Sequence, residues 1–126
     1  MNIPTNLKYA KTHEWIRVEG NEAFIGITEF AVSELGDISF IEIETEGEDL
    51  NKGEMFGTIE AVKIVTDVYM PVSGNVLEVN QAVLDDPLIL NNDPFGEGWL
   101  IKISVADATE FDSLLDANAY SEIAKH

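Results

Sequence analysis

A chain of 126 residues and 13.9 kDa, 45 % of them hydrophobic, can bury one core but has no room for two full-sized domains. Seven Lys and Arg stand against 24 Asp and Glu, a net charge of -17, which excludes nucleic acid binding by charge and disfavours anionic membrane surfaces. Cysteine is absent, so disulfides, Cys-ligated zinc, iron–sulfur clusters and a cysteine nucleophile are excluded together.

The first ten residues are too polar for a signal peptide and lack the arginines of a transit peptide, and no apolar run approaches a membrane span. Glu14 to Val18 alternates as a strand, and Gly20-Asn21 reads as a hairpin turn into Ala23 to Ile27. Thr28 is placed as the N-cap of a short helix with Phe30, Ala31 and Leu35 as its apolar stripe and Gly36 at its end. Ile38 to Ile43 is a strand with Ile38 and Phe40 on one side and Ile41 on the other; an acidic loop follows to Lys52 and Gly53. Phe56 to Val62 and Ile64 to Met70 are both β-rich and are separated only by Lys63. Pro71 to Gly74 is a turn, and Val76 to Val79 another strand. Residues 80–98, rich in Pro, Gly and Asn, read mostly as loop with one short turn at Leu88 to Leu90. Trp99 to Val105 is the last strand. Phe111, Leu114, Leu115, Tyr120, Ile123 and Ala124 then fall near helical spacing, with Thr109 and Asn118 as candidate caps. The fold expected is mainly β: a compact barrel-sandwich hybrid of short strands with a lysine-bearing hairpin, a short inserted helix and C-terminal helices.

Most chemistry has little to stand on. The two histidines, His13 and the terminal His126, are too few for a His-based metal site. Asp85-Asp86 and Asn91-Asn92-Asp93 are oxygen-rich, but the EF-hand spacing is missing and a solvated acidic loop is the plainer reading. No serine lies in a G-x-S-x-G context, and Gly96-Glu97-Gly98 carries an acid where phosphate would have to bind. Lys63 is different. Between Lys52 and Lys102 it is the sole base among eight acids. It sits at the tip of a strand–Lys–strand unit, flanked by the apolar Val62, Ile64 and Val65 where turns usually carry Gly, Asn or Ser. Apolar residues at an exposed tip suggest that something docks there.

Ile59-Glu60-Ala61-Val62-Lys63, followed by Asp67-Val68-Tyr69-Met70-Pro71-Val72-Ser73-Gly74-Asn75-Val76, resembles the attachment region of biotinyl/lipoyl carrier domains. Thr12-His13-Glu14-Trp15, Gly26-Ile27-Thr28, Leu35-Gly36-Asp37-Ile38, Asp93-Pro94 and Gly98-Trp99-Leu100 narrow the resemblance, nearly end to end, to the H proteins of the glycine cleavage system. That resemblance implies one lipoyl-carrier domain over 1–126, with lipoate amide-linked to Lys63 as covalent cofactor. It implies a carrier and not an enzyme: a shuttle for the aminomethyl group of glycine. Its partners would be a pyridoxal-phosphate glycine decarboxylase, a tetrahydrofolate-dependent aminomethyltransferase, dihydrolipoamide dehydrogenase and the lipoate-attaching enzyme. Glu60 matches a ligase-recognition position, and Glu14 and Asp67 match positions beside a cleft that receives the arm. A monomer is expected, in the bacterial cytoplasm, or in the mitochondrial matrix if the chain is a processed organelle protein. The pattern is not followed everywhere: Ala61 replaces the usual Ser, and Ile64 and Val65 replace small residues. A lipoyl-relay protein serving other enzymes and an unmodified β-rich interaction module therefore stay open, with a hydrolase built on the acids a distant further option.

Overall fold

The computed structural model describes residues 2–124; His126, weighed above as a ligand, lies outside them. Nine strands form two sheets in which every pairing is antiparallel. The larger sheet contains β1 (Lys8–Tyr9), β2 (Glu14–Glu19), β3 (Glu22–Ile27), β9 (Ile101–Val105), β8 (Gly74–Val79) and β5 (Asp49–Leu50), in that spatial order. The smaller sheet contains β4 (Ile38–Glu42), β6 (Met55–Ala61) and β7 (Val65–Tyr69), with β6 in the middle. This is the mainly β architecture expected, built as two separate sheets.

The main core lies between them. Ile25, Val76, Ile101 and Ile103 of the larger sheet share one buried cluster with Ile41, Ile59 and Val68 of the smaller. A second, aromatic cluster of Tyr9, Trp15, Phe30 and Tyr120 covers the far side of the larger sheet. Trp15 and Ile16 are neighbours on β2, so they point to opposite faces, and both are buried. The end of β2 that begins at Glu14 is thus covered on both sides. Trp15 lies close enough over Gly26 of β3 that a Cβ there would meet the indole at 2.7 Å, and its Nε1 donates to the Pro94 carbonyl at 2.9 Å.

The inserted helix α1 (Glu29–Leu35) is capped as expected: Thr28 Oγ1 accepts from the Ala31 amide at 3.2 Å, and Gly36, at φ +78°, ends it. The strand after it differs from expectation. A register shift between Ile38 and Phe40 turns Ile38 and Ile41 into the core and leaves Phe40 48 % exposed on the outer face. The acidic stretch after β4 includes the two-residue strand β5.

Residues 80–98 contain more order than their composition suggested. They form α2 (Gln81–Asp85) and α3 (Leu88–Asn92), anchored by the fully buried Val83 and Leu90. Asparagine side chains organise this region by bonding backbone groups. Asn91 accepts from the Ile38 amide at 3.0 Å and donates to the Gly36 carbonyl at 2.8 Å, clamping the exit of α1 to the start of β4. The expected C-terminal helices are a 3₁₀ segment, Ala108–Ser113, and α4 (Ala117–Ile123). Their caps are Asp107 and Asp116, each two residues before the Thr109 and Asn118 expected from sequence. Each carboxylate accepts an amide at the start of its segment, Asp107 from Thr109 at 3.0 Å and Asp116 from Ala119 at 2.8 Å.

Asn80 is the most heavily used of these clamps. It is buried, donates from Nδ2 to the carbonyls of Glu97 and Trp99 at 2.8 Å each, and accepts from the Ala82 amide at 3.2 Å. Asn80→Ala leaves those buried groups without partners and is expected to cost about 1–3 kcal/mol. The urea midpoint measures it; a midpoint unchanged from the parent would show that Asn80 holds nothing together.

Candidate functional site

The hairpin of β6 and β7 is closed by the Ala61 amide donating to the Ile64 carbonyl at 2.8 Å, so Val62 and Lys63 are the two residues of its loop. A second amide, that of Val62, donates to the Asp37 carbonyl at 3.3 Å and ties the tip to the chain before β4. Lys63 is exposed there and, among the described residues, has no carboxylate partner. Around it the apolar surface is unusually open: Val62 is 75 % exposed and Val65 60 %. Glu60 faces Phe40 of β4 on one side and Val65 of β7 on the other in the strand register, so the three share the outer face of the small sheet. An acid framed by two exposed apolar side chains thus lies one strand end away from the lysine.

Glu14 and Asp67 come together elsewhere. Both line a cleft of about 210 Å³ between β7 and α1, with Ile27, Phe30, Ala31 and Leu35 supplying its apolar wall. Asp67 is exposed on β7. At ~3.3 Å of rise per residue it lies roughly 13 Å along the strand from Lys63. Glu14 opens β2 and is almost fully buried. Its carboxylate accepts from Thr12 Oγ1 and, at 3.2 Å, from the Tyr69 amide. Burial pushes its pKa up to about 7, against the lowering effect of those two bonds. A carboxyl held this far above the usual carboxylate range responds to any cation brought near it.

The cleft has a further member that sequence reasoning weighed only as a metal ligand or base. His13 lines it, and its Nδ1 lies 2.7 Å from Tyr120 Oη, which lies 2.6 Å from Thr28 Oγ1. Tyr120 stacks on Tyr9 with ring centroids 4.6 Å apart. His13 also adopts φ +77°, in the left-handed region that non-glycine residues rarely occupy. Burial lowers its pKa, against an opposing pull from Glu34, so the neutral ring is favoured. The signal available in the sequence was the Thr12-His13-Glu14 triplet itself, in which each residue now proves to face the cleft. Of the residues weighed for calcium, Asn91 clamps α1 to β4, and the Asp93 carboxylate accepts from the Glu97 amide at 2.9 Å.

A family model described as Glycine cleavage H-protein matches residues 7–126. Curated relatives named glycine cleavage system H protein include one from Bacteroides fragilis, 53 % identical over 123 residues, and one from Bacteroides thetaiotaomicron, 54 % identical; each alignment covers 98 % of both chains. The crystal structure of a glycine cleavage system H protein from Mycobacterium marinum superposes with a TM-score of 0.87 at 36 % identity, covering 95 % of this chain and 97 % of the other.

The burial of Glu14 has a consequence for stability. Its folded-state pKa of about 7 exceeds the ordinary 4.5. The folded state therefore binds more protons than the unfolded state between those values, and stability falls as pH rises through that window. Glu14→Gln is expected to remove this slope and to be the more stable form above pH 7, by up to about 3 kcal/mol. Denaturant midpoints for both forms across this range measure it; parallel curves would contradict the assignment.

Proposed function

The chain belongs to the glycine cleavage H-protein family, and we propose that Lys63 is its lipoyl-bearing residue. The protein is a lipoyl carrier of the glycine cleavage system. The observation that carries the Lys63 assignment is geometric. Its amine stands free at a two-residue hairpin tip on a rigid sheet, with no carboxylate to mask it among the described residues. The residues present fit a long acyl substituent, because apolar side chains flank the tip and an apolar cleft lies a strand length away. When bound, lipoate would supply the dithiolane that this cysteine-free chain lacks, as the carrier of the aminomethyl group. Amide formation would also remove the only base between Lys52 and Lys102.

The chain's own residues then divide the work. The hairpin presents the arm. The Ile27, Phe30 and Leu35 wall excludes water from whatever the arm carries into the cleft. Glu14 and Asp67 hold a cationic cargo; a cation beside Glu14 would draw its carboxyl into the charged form and be paired by it. Glu60, set between Phe40 and Val65, is the recognition point for the lipoate-attaching enzyme. No catalytic step is assigned to the chain. Glycine decarboxylase, the aminomethyltransferase and dihydrolipoamide dehydrogenase would act on the arm in turn, with the acidic surface favouring partners with basic rims. A cytoplasmic, monomeric protein acting as one unit is the reading adopted. The relatives compared above are bacterial, and no described helix is long and apolar enough to cross a membrane.

Intact-mass measurement of protein from its native source should show one lipoyl group, lost entirely in Lys63→Arg and reduced in yield by Glu60→Ala. An unmodified native chain would overturn the carrier assignment of Lys63. A lipoylated chain that does not support glycine decarboxylation would instead indicate a lipoyl-relay protein. With the carrier loaded, Glu14→Ala should shed its cargo about tenfold faster, since a desolvated charge pair is worth upward of 1.4 kcal/mol. An unchanged loss rate would remove Glu14 from the cargo site.

A further inference from the structure

A second cleft, of about 490 Å³, lies at the far end of β7 from the Lys63 tip and shares only Thr12 with the Glu14–Asp67 cleft. The carrier role leaves it unused. Its walls are mostly apolar: Tyr9, Tyr69, Met70, Pro71, Leu114 and Leu115. Backbone bonds hold those walls in place before any ligand arrives. Tyr9 and Leu115 exchange two amide–carbonyl bonds of 2.8 Å each, and the Gly53 amide donates to the Met70 carbonyl at 2.9 Å. A preformed apolar recess with a few polar groups is the common form of a small-molecule site.

Its charge is the informative feature. In a chain with 24 acids, no Asp or Glu lines this cleft, whereas two of the seven bases do, Lys11 and Lys52. Neither lysine has a carboxylate partner among the described residues. Lys52 Nζ donates to the neutral hydroxyl of Ser113, which also lines the cleft. By contrast Arg17 and Lys102, the bases on the outer face of the larger sheet, both reach glutamates. Two ammonium groups without carboxylate partners thus stand at an apolar recess on a surface of charge -17.

We propose that this cleft is a binding site for small amphipathic carboxylates, taken up with the apolar chain against Tyr9, Tyr69 and Leu115 and the carboxylate against Lys11 and Lys52. Lysine suits this as a flexible point charge that can follow the head group. The site is independent of any group on Lys63, so it stands or falls separately from the carrier assignment.

The test titrates the full chain, in a Lys63→Arg background, with sodium octanoate, and with octanol and octylamine as neutral and cationic analogues of equal chain length. Backbone amide chemical shifts report the site. Octanoate is expected to shift Tyr9, Tyr69 and Leu115 saturably and to bind at least about tenfold more tightly than either analogue. Lys11→Gln with Lys52→Gln should abolish that preference, while Lys8→Gln, which removes a lysine outside the cleft, should keep it. Equal binding of octanoate and octanol would overturn the proposal, as would shifts confined to the Glu14–Asp67 cleft, a double variant that binds octanoate as the parent does, or no saturable shift at all.

Discussion

One hydroxyl joins the parts of this molecule that would otherwise drift. Tyr120 Oη on the C-terminal helix lies within hydrogen-bond distance of both Thr28 Oγ1 and His13 Nδ1. Thr28 in turn caps α1 through the Ala31 amide, and its own amide donates to the His13 carbonyl at 3.0 Å. The loop before β2, the end of β3, the start of α1 and the body of α4 therefore meet at a single buried point. The left-handed backbone of His13 costs on the order of 1 kcal/mol or more. It is retained because its ring is fixed from several directions, by Tyr120, by Phe30 at 4.9 Å and by the cleft wall. Once His13 is fixed, Glu14 follows it into the covered end of β2.

From that point the two functional regions acquire opposite characters. The cleft carboxyl is almost fully buried, and its hydrogen bonds come from Thr12 and the Tyr69 amide. The hairpin tip is held only at its base, through the Ala61–Ile64 and Val62–Asp37 bonds, and everything beyond them faces solvent. β7 connects the two, with Val65 next to the tip, Asp67 at the cleft and the Tyr69 amide on the Glu14 carboxylate. The outer face of the larger sheet takes no part. There Arg17 and Lys102 sit over Phe24 from the two neighbouring strands, at 4.8 and 5.9 Å from the ring centroid, a cross-strand arrangement that serves stability.

What could be read from the residues followed the strength of local patterns. The Lys63 hairpin was legible because two β-rich runs meet at a lone cation. The Thr28 cap and the Gly36 stop were legible because capping is local chemistry. Phe40 was placed on the wrong face because a bulge adds one residue to the period of two, and nothing in the apolar pattern marks where it falls. α2 and α3 were hidden by their size: each is five residues long, too short to display a periodic stripe, and each is secured by one buried side chain and by asparagines that bond the backbone. Asp107 and Asp116 precede the hydroxyl and amide favoured as caps, an ambiguity of two residues that propensity does not resolve. The depth of Glu14 was beyond reach of any strand pattern. Alternation puts Glu14 on the same face as Ile16, the side of the main core, where a carboxylate is rarely buried.

The near-neutral Glu14 also makes this molecule a participant in proton traffic. A carboxyl raised to about 7 by burial is partly protonated in a neutral medium. A cation entering the cleft must expel that fractional proton, and a cation leaving must take one back from solvent. Cation binding at that point and the proton occupancy of Glu14 are thereby coupled by linkage, in equal measure in both directions. A buried carboxyl of this kind would make the arrival of a cation beside it a release of acid.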